Sequence, residues 1–137
     1  NKENAVAKEG YIKLLYPDAG VEYWLVEEKK LPAEAKAVVE ELIKNEKNLI
    51  PKETKILDIK VENRIAYINL SNEFENLSNG DLAVWINIFT IVNTLTLNKN
   101  LNIDYVQLLL DGKVEQFIGD TTADKPKPKN IELMKMY

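Results

Sequence analysis

The chain has 137 residues, 45% of them apolar and 29% charged, with net charge −4; this suits one domain with a continuous core and lacks the basic excess that counterion release at nucleic acid requires. It contains neither cysteine nor histidine, which excludes disulfides, thiolate and imidazole metal sites, and Ser-His or Cys-His catalytic pairs. Arg64 is the only arginine, so the bidentate forks that usually grip phosphate or guanine are missing and nucleic acid is not an expected partner.

Asn1 to Glu9 is polar and unpatterned and reads as a linker. No apolar run approaches the roughly 18 residues of a membrane span, and the start lacks a basic-then-apolar signal, so a soluble domain is expected. Tyr11 to Tyr16 and Val21 to Val26 read as strands around Pro17-Asp18-Ala19-Gly20, whose proline and glycine favour a turn. Closing that hairpin over the four loop residues sets Tyr16 opposite Val21, Leu14 opposite Tyr23 and Ile12 opposite Leu25, making one face apolar. After Leu31-Pro32, residues Ala35, Val38, Val39, Leu42 and Ile43 follow helical spacing. Pro32 suits the helix start and Lys44 its end.

Lys55 to Val61 and Ile65 to Leu70 alternate as strands, and a two-residue loop at Asn63-Arg64 predicts Val61 opposite Ala66, Ile59 opposite Ile68 and Leu57 opposite Leu70. Arg64 is then an awkward turn residue, because that position favours glycine. Asn79-Gly80-Asp81 marks a second helix start, with Asp81 as N-cap. Leu82, Trp85, Ile86, Phe89, Val92 and Leu95 form its main stripe, and Val84, Ile88 and Ile91 widen that stripe beyond a half-exposed face. Tyr105 to Leu110 and Val114 to Ile118 flank Asp111-Gly112, a strong hairpin signal, with Val106 facing Phe117, Leu108 facing Glu115 and Leu109 facing Val114. Lys125-Pro126-Lys127-Pro128-Lys129 reads as an extended, polyproline-like tail.

The order ββαββαββ contains a split βαβ unit and predicts an α+β two-layer sandwich: a mixed/antiparallel sheet with two helices on one face and the other face open. The expected divisions are a linker over 1–9, the domain over 10–119 and a C-terminal extension over 120–137.

The succession Leu15-Tyr16-Pro17-Asp18, Ile50-Pro51-Lys52-Glu53-Thr54-Lys55, Ala66-Tyr67-Ile68-Asn69-Leu70-Ser71, Val92-Asn93-Thr94-Leu95-Thr96, Val106-Gln107-Leu108-Leu109-Leu110-Asp111-Gly112 and Ile118-Gly119 resembles the GerMN domain of GerM-type sporulation and spore germination proteins and of some envelope lipoproteins. The resemblance runs from about Leu14 to Gly119. It implies an extracytoplasmic module, membrane-anchored as a lipoprotein in its precursor, in a Gram-positive cell envelope. Similarity to ring-building motifs further implies binding to other envelope proteins or self-association, with no catalytic residues. The family often carries aspartate where this chain has Asn69, and the lipidated cysteine of an anchored precursor is not in this sequence.

No catalytic, cofactor or metal residue is assigned. Ile65, Tyr67 and Tyr105 on the open sheet face, together with Trp24, are the candidate partner surface. Trp24 points away from the face of Leu14 and Tyr23, where it is either a partner anchor or a strand residue covered by the tail. Asp111-Gly112 reads as a turn and not a catalytic loop, and Asp104, Asp111, Asp120 and Asp124 match no ordered calcium loop. Asn93 and Thr94 are expected to satisfy backbone groups. Ser71 and Ser78 lack a histidine base. The leading expectation is therefore a non-enzymatic assembly module; the alternatives are a small-ligand or glycan-binding domain, or an enzyme using a carboxylate pair with tryptophan stacking on sugar rings.

Overall fold

The computed structural model describes residues 10–130 and 134–136, so the linker expected over 1–9 lies outside the described residues. Strands β1 (Tyr11–Pro17) and β2 (Tyr23–Lys30) lead into helix α1 (Ala35–Lys44), and strands β3 (Ile56–Glu62) and β4 (Ile65–Leu70) follow. Two short 3-10 turns precede helix α2 (Gly80–Leu97), and strand β5 (Tyr105–Leu110) comes after it. Four short strands complete the chain: β6 (Phe117–Ile118), β7 (Thr121–Thr122), β8 (Lys127–Pro128) and β9 (Lys135–Met136).

The α+β class, the two helices and the mix of parallel and antiparallel pairing are as expected. The strands do not share one layer, however. They form a three-stranded sheet β1-β2-β9, a four-stranded sheet β3-β4-β5-β8 and a small β6-β7 ribbon. The division has a chemical cause at the free edge of β1. There the side chain of Asn98 accepts from the Lys13 amide at 2.9 Å and donates to the Lys13 carbonyl at 2.8 Å, and the Thr94 hydroxyl accepts from the Leu15 amide at 3.2 Å. Side chains at the end of α2 thus satisfy backbone groups that a neighbouring strand would otherwise take. The first hairpin cannot join the second sheet along that edge.

Helix α2 contacts both β1 and β5, so it lies between the two principal sheets. That position explains why Ala83, Val84 and every residue from Ile86 to Leu95 are buried, on all sides of the helix. Gly80–Leu97 also reaches the 18-residue length and the hydropathy of a membrane span, contrary to the expectation that no run approaches it, yet 72% of that stretch is buried within the domain. Helix α1 adds Val38, Val39, Leu42 and Ile43 to the same core, each worth about 1.5–3 kcal/mol of gross burial. Pro32 lies ahead of the helix and not in its first turn.

Three pairings differ from expectation. In the first hairpin Tyr16 pairs with Leu25, Leu14 with Glu27 and Ile12 with Lys29, because the Asp18 carboxylate gathers the amides of Gly20, Glu22 and Tyr23 and lengthens the loop. In the second, Val61 faces Ala66 and Ile59 faces Ile68 as expected, but a bulge at Leu57 brings Ile56, not Leu57, opposite Leu70. Asn63 and Arg64 both adopt positive φ, as a primed turn demands. In the third, Asp111 and Gly112 form a left-handed turn closed by a Leu110–Lys113 bridge, but Val114 to Ile118 does not return along β5. β6 pairs with β7 instead, and β8 takes the edge of β5 antiparallel, with Tyr105 opposite Pro128. The Lys-Pro segment is extended, but as an edge strand, a place where proline is tolerated.

Candidate functional site

The pairing of β4 with β5 is parallel and the pairing of β3 with β4 antiparallel, which fixes the composition of each face. Ala66, Ile68, Leu70, Val106, Leu108 and Leu110 are buried on the helix side. The opposite side carries Lys60 and Glu62 from β3, Ile65, Tyr67 and Asn69 from β4, and Tyr105, Gln107 and Leu109 from β5. Ile65 and Tyr105 are direct neighbours there, with Tyr67 one step along β4. Ile65 and Tyr67 are half-buried and Tyr105 is 45% exposed. Three of the four expected surface residues therefore share one face.

Trp24 does not join them. Its side chain is 0% exposed and belongs to the core, and β9 runs parallel alongside, with Trp24 paired to Met136. It projects to the other side of its strand from Leu14, as expected, but that side is enclosed. An indole so placed presents no surface to a partner.

At the border of the open face, the Arg64 guanidinium forms a two-pronged pair with Asp104, at 2.6 Å and 3.0 Å. The pair raises the Arg64 pKa and holds the Asp104 carboxyl below its ordinary range. It helps to line a hollow of about 700 Å³ that also includes Lys99, Tyr105 and Lys129. The one arginine is thus committed to an internal carboxylate.

A second hollow, of about 550 Å³, opens at the start of α2. Val21, Leu82, Trp85 and Met134 supply its apolar surface, and Asp81 and Asp120 also line it. Leu82, expected on the buried stripe, is 63% exposed here, although Ala83 and Val84 beside it are buried. Asp81 lies within that first turn and is not the N-cap, a position held by Asn79. Val21 adopts φ of 57°, an uncommon conformation for a β-branched residue. Sequence reading missed this site: periodicity placed Leu82 inside, and no local pattern joins Val21, Leu82 and Asp120.

Several of the remaining polar candidates have structural partners. The Asp111 carboxylate accepts from the Asn72 amide and side chain, and Asn69 accepts from the Gly112 amide. Ser71 accepts from the Lys55 amide at 2.8 Å and hydrogen-bonds Glu73, lowering that carboxyl's pKa. Asn93 exchanges two hydrogen bonds with the backbone of Asn130. Lys52, within the Ile50-Pro51-Lys52 motif, donates to the carbonyls of Asn45, Asn48 and Ile50, and burial lowers its pKa. Among the described residues, no group of three or more Asp and Glu side chains is placed to hold a metal ion.

Residues 12–116 match the model of the family described as Germane, sporulation and spore germination. Solved structures share the fold, among them the following three. A "Putative Lipoprotein" from Clostridium perfringens aligns with TM-score 0.61 and 22% identity over 93% of each chain. The tandem GerMN domains of the sporulation protein GerM from Bacillus subtilis align with TM-score 0.64 and 14% identity, over 96% of this chain and 51% of that one. The first GerMN domain of the same protein aligns with TM-score 0.58 and 19% identity, over 88% of this chain and 96% of that one. No curated protein sequence matches.

Proposed function

Because the chain belongs to the Germane family of sporulation and spore germination domains, we propose that it is a non-catalytic protein-interaction module of the bacterial envelope, working outside the cytoplasm from a membrane-anchored precursor. The sporulation protein and the lipoprotein among its structural neighbours support that location. The observation that carries the interaction role is the aromatic and aliphatic patch of Ile65, Tyr67 and Tyr105 on the sheet face away from both helices. A tyrosine pair in such a patch offers area and a polar tip at small entropic cost, as protein interfaces favour. Replacing Tyr67 and Tyr105 with alanine should abolish co-purification with envelope partners and leave the melting temperature nearly unchanged. Wild-type recovery of partners by the double variant would remove the proposal's support.

A second reading rests on the hollow at the start of α2. Leu82 and Trp85 beside Asp81 and Asp120 resemble the apolar surface and convergent polar groups of a small-ligand or glycan site. Titration with soluble peptidoglycan oligosaccharides tests it. Binding that disappears in Trp85→Ala supports it, and absence of binding by the wild type ends it.

A further inference from the structure

We propose that β3 pairs antiparallel with β3 of a second copy of this chain, joining two four-stranded sheets across a twofold axis at Ile59. The inference narrows the interaction reading above by naming one partner, and it uses a different surface from Tyr67 and Tyr105. It starts from an edge: β3 ends the β3-β4-β5-β8 sheet. Two apolar side chains there, Leu57 and Val61, are 48% and 47% exposed. A hollow of about 330 Å³ lies between this strand and Ala35 and Lys36 at the start of α1.

The strand reads Ile-Leu-Asp-Ile-Lys-Val-Glu from Ile56 to Glu62, and Ile59 is its midpoint. Antiparallel pairing about that midpoint sets Ile59 against Ile59, and, twice each by symmetry, Leu57 against Val61, Asp58 against Lys60 and, at the two ends, Ile56 against Glu62. Around the axis apolar meets apolar, and Asp58 meets the opposite charge of Lys60 on the open side, where Lys60 also pairs with Glu62 of its own strand; the bulge at Leu57 limits the regular pairing to the segment from Asp58 to Val61. Moving the axis to Asp58 or to Lys60 stacks like charges, and moving it to Val61 runs the pair into the Asn63-Arg64 turn. Of these axes, the one at Ile59 alone brings opposite charges together. Hydrogen-bond direction agrees: Glu62 and Ile65 flank the two-residue loop, so Lys60 and Glu62 direct their backbone groups at β4, and Ile59 and Val61 direct theirs outward. A lysine on an edge and a neighbouring bulge deter indiscriminate pairing. A partner bringing Asp58 to Lys60 answers the lysine, so the same charges that repel other strands favour this one.

A single strand-to-strand contact lies at the low end of stable interfaces, so the dimer is weak and grows with concentration. Sedimentation velocity of the full chain over a range of concentrations tests it. The wild type should show a monomer–dimer equilibrium. Asp58→Lys and Lys60→Asp should each weaken it roughly tenfold or more, because each sets like charges opposite each other. The double variant Asp58→Lys, Lys60→Asp should restore it. These side chains are exposed, and circular dichroism confirms that each variant folds. A monomeric wild type, single reversals without effect, or a double variant that stays monomeric would each overturn the proposal. Any of those results leaves the capture experiment at Tyr67 and Tyr105 as the separate judge of the broader reading.

Discussion

Asn98 illustrates how much of this fold depends on single polar side chains in the core. Its amide also donates to the Thr94 carbonyl at 2.7 Å, in addition to bridging Lys13. Asn98→Ala would strand the buried amide and carbonyl of Lys13, and stability measured in urea should fall by about 2–3 kcal/mol. Gly119 depends on space. Its φ is +61°, and an added Cβ would stand 3.1 Å from Val84 Cγ1 and 3.2 Å from Asp81 Oδ1. Gly119→Ala should therefore cost about 1–2 kcal/mol in the same measurement. Glu41 sets an acid limit. Burial pushes its carboxyl up, but the hydrogen bond and charge of Lys29, aided by Lys44, outweigh that and leave it below its ordinary 4.5. A depressed carboxyl stabilises the fold above its unfolded pKa, and that contribution is lost as pH falls through the folded value. The urea midpoint should thus drop as the pH is taken below 4.5, and less steeply in Glu41→Gln. None of these roles was legible in the sequence, where Asn98 and Glu41 look like ordinary surface residues of a helix end and a helix face.

Elements were legible where periodicity was strong and local. The stripe of Val38, Val39, Leu42 and Ile43 and the alternation of Ile65 to Leu70 each fixed an element and its inner face. Register was legible only where the turn was short: Asn63-Arg64 gave correct pairs near the loop, and the bulge at Leu57 ended the agreement. Asp18 defeated the first hairpin because one carboxylate binding three amides makes a longer loop than proline and glycine alone suggest. Asp111-Gly112 makes the expected turn, but Asn69 and Asn72 tie it to the end of β4, and no long hairpin follows. Described residues after Gly119 pack against the domain. β8 covers the edge of β5, β9 runs beside Trp24, and Asn130 bonds to Asn93. Deleting residues 125–137 should lower the melting temperature by about 10 °C or more, whereas a dispensable tail would leave it unchanged.

At the scale of the molecule, α2 between two sheets was not readable from the order of elements, because that order is equally compatible with one continuous sheet. The difference comes from the polar end of α2, which occupies the edge of β1. What did follow from alternation is that β4 has a second face with Ile65 and Tyr67 outside the core, and parallel pairing with β5 adds Tyr105 beside them. The hollow of Val21, Leu82, Trp85 and Asp120 depends on contacts between distant segments and was invisible to spacing. An interaction role places the working surface on the sheet face, and a ligand role places it at that hollow. The most direct discriminator is photocrosslinking in intact envelopes with a reactive residue at position 67, compared with one at the exposed Glu40 on α1. Specific protein adducts are expected from position 67 and not from position 40; identical patterns from both positions, or no adducts from position 67, would contradict an interaction role for the sheet face.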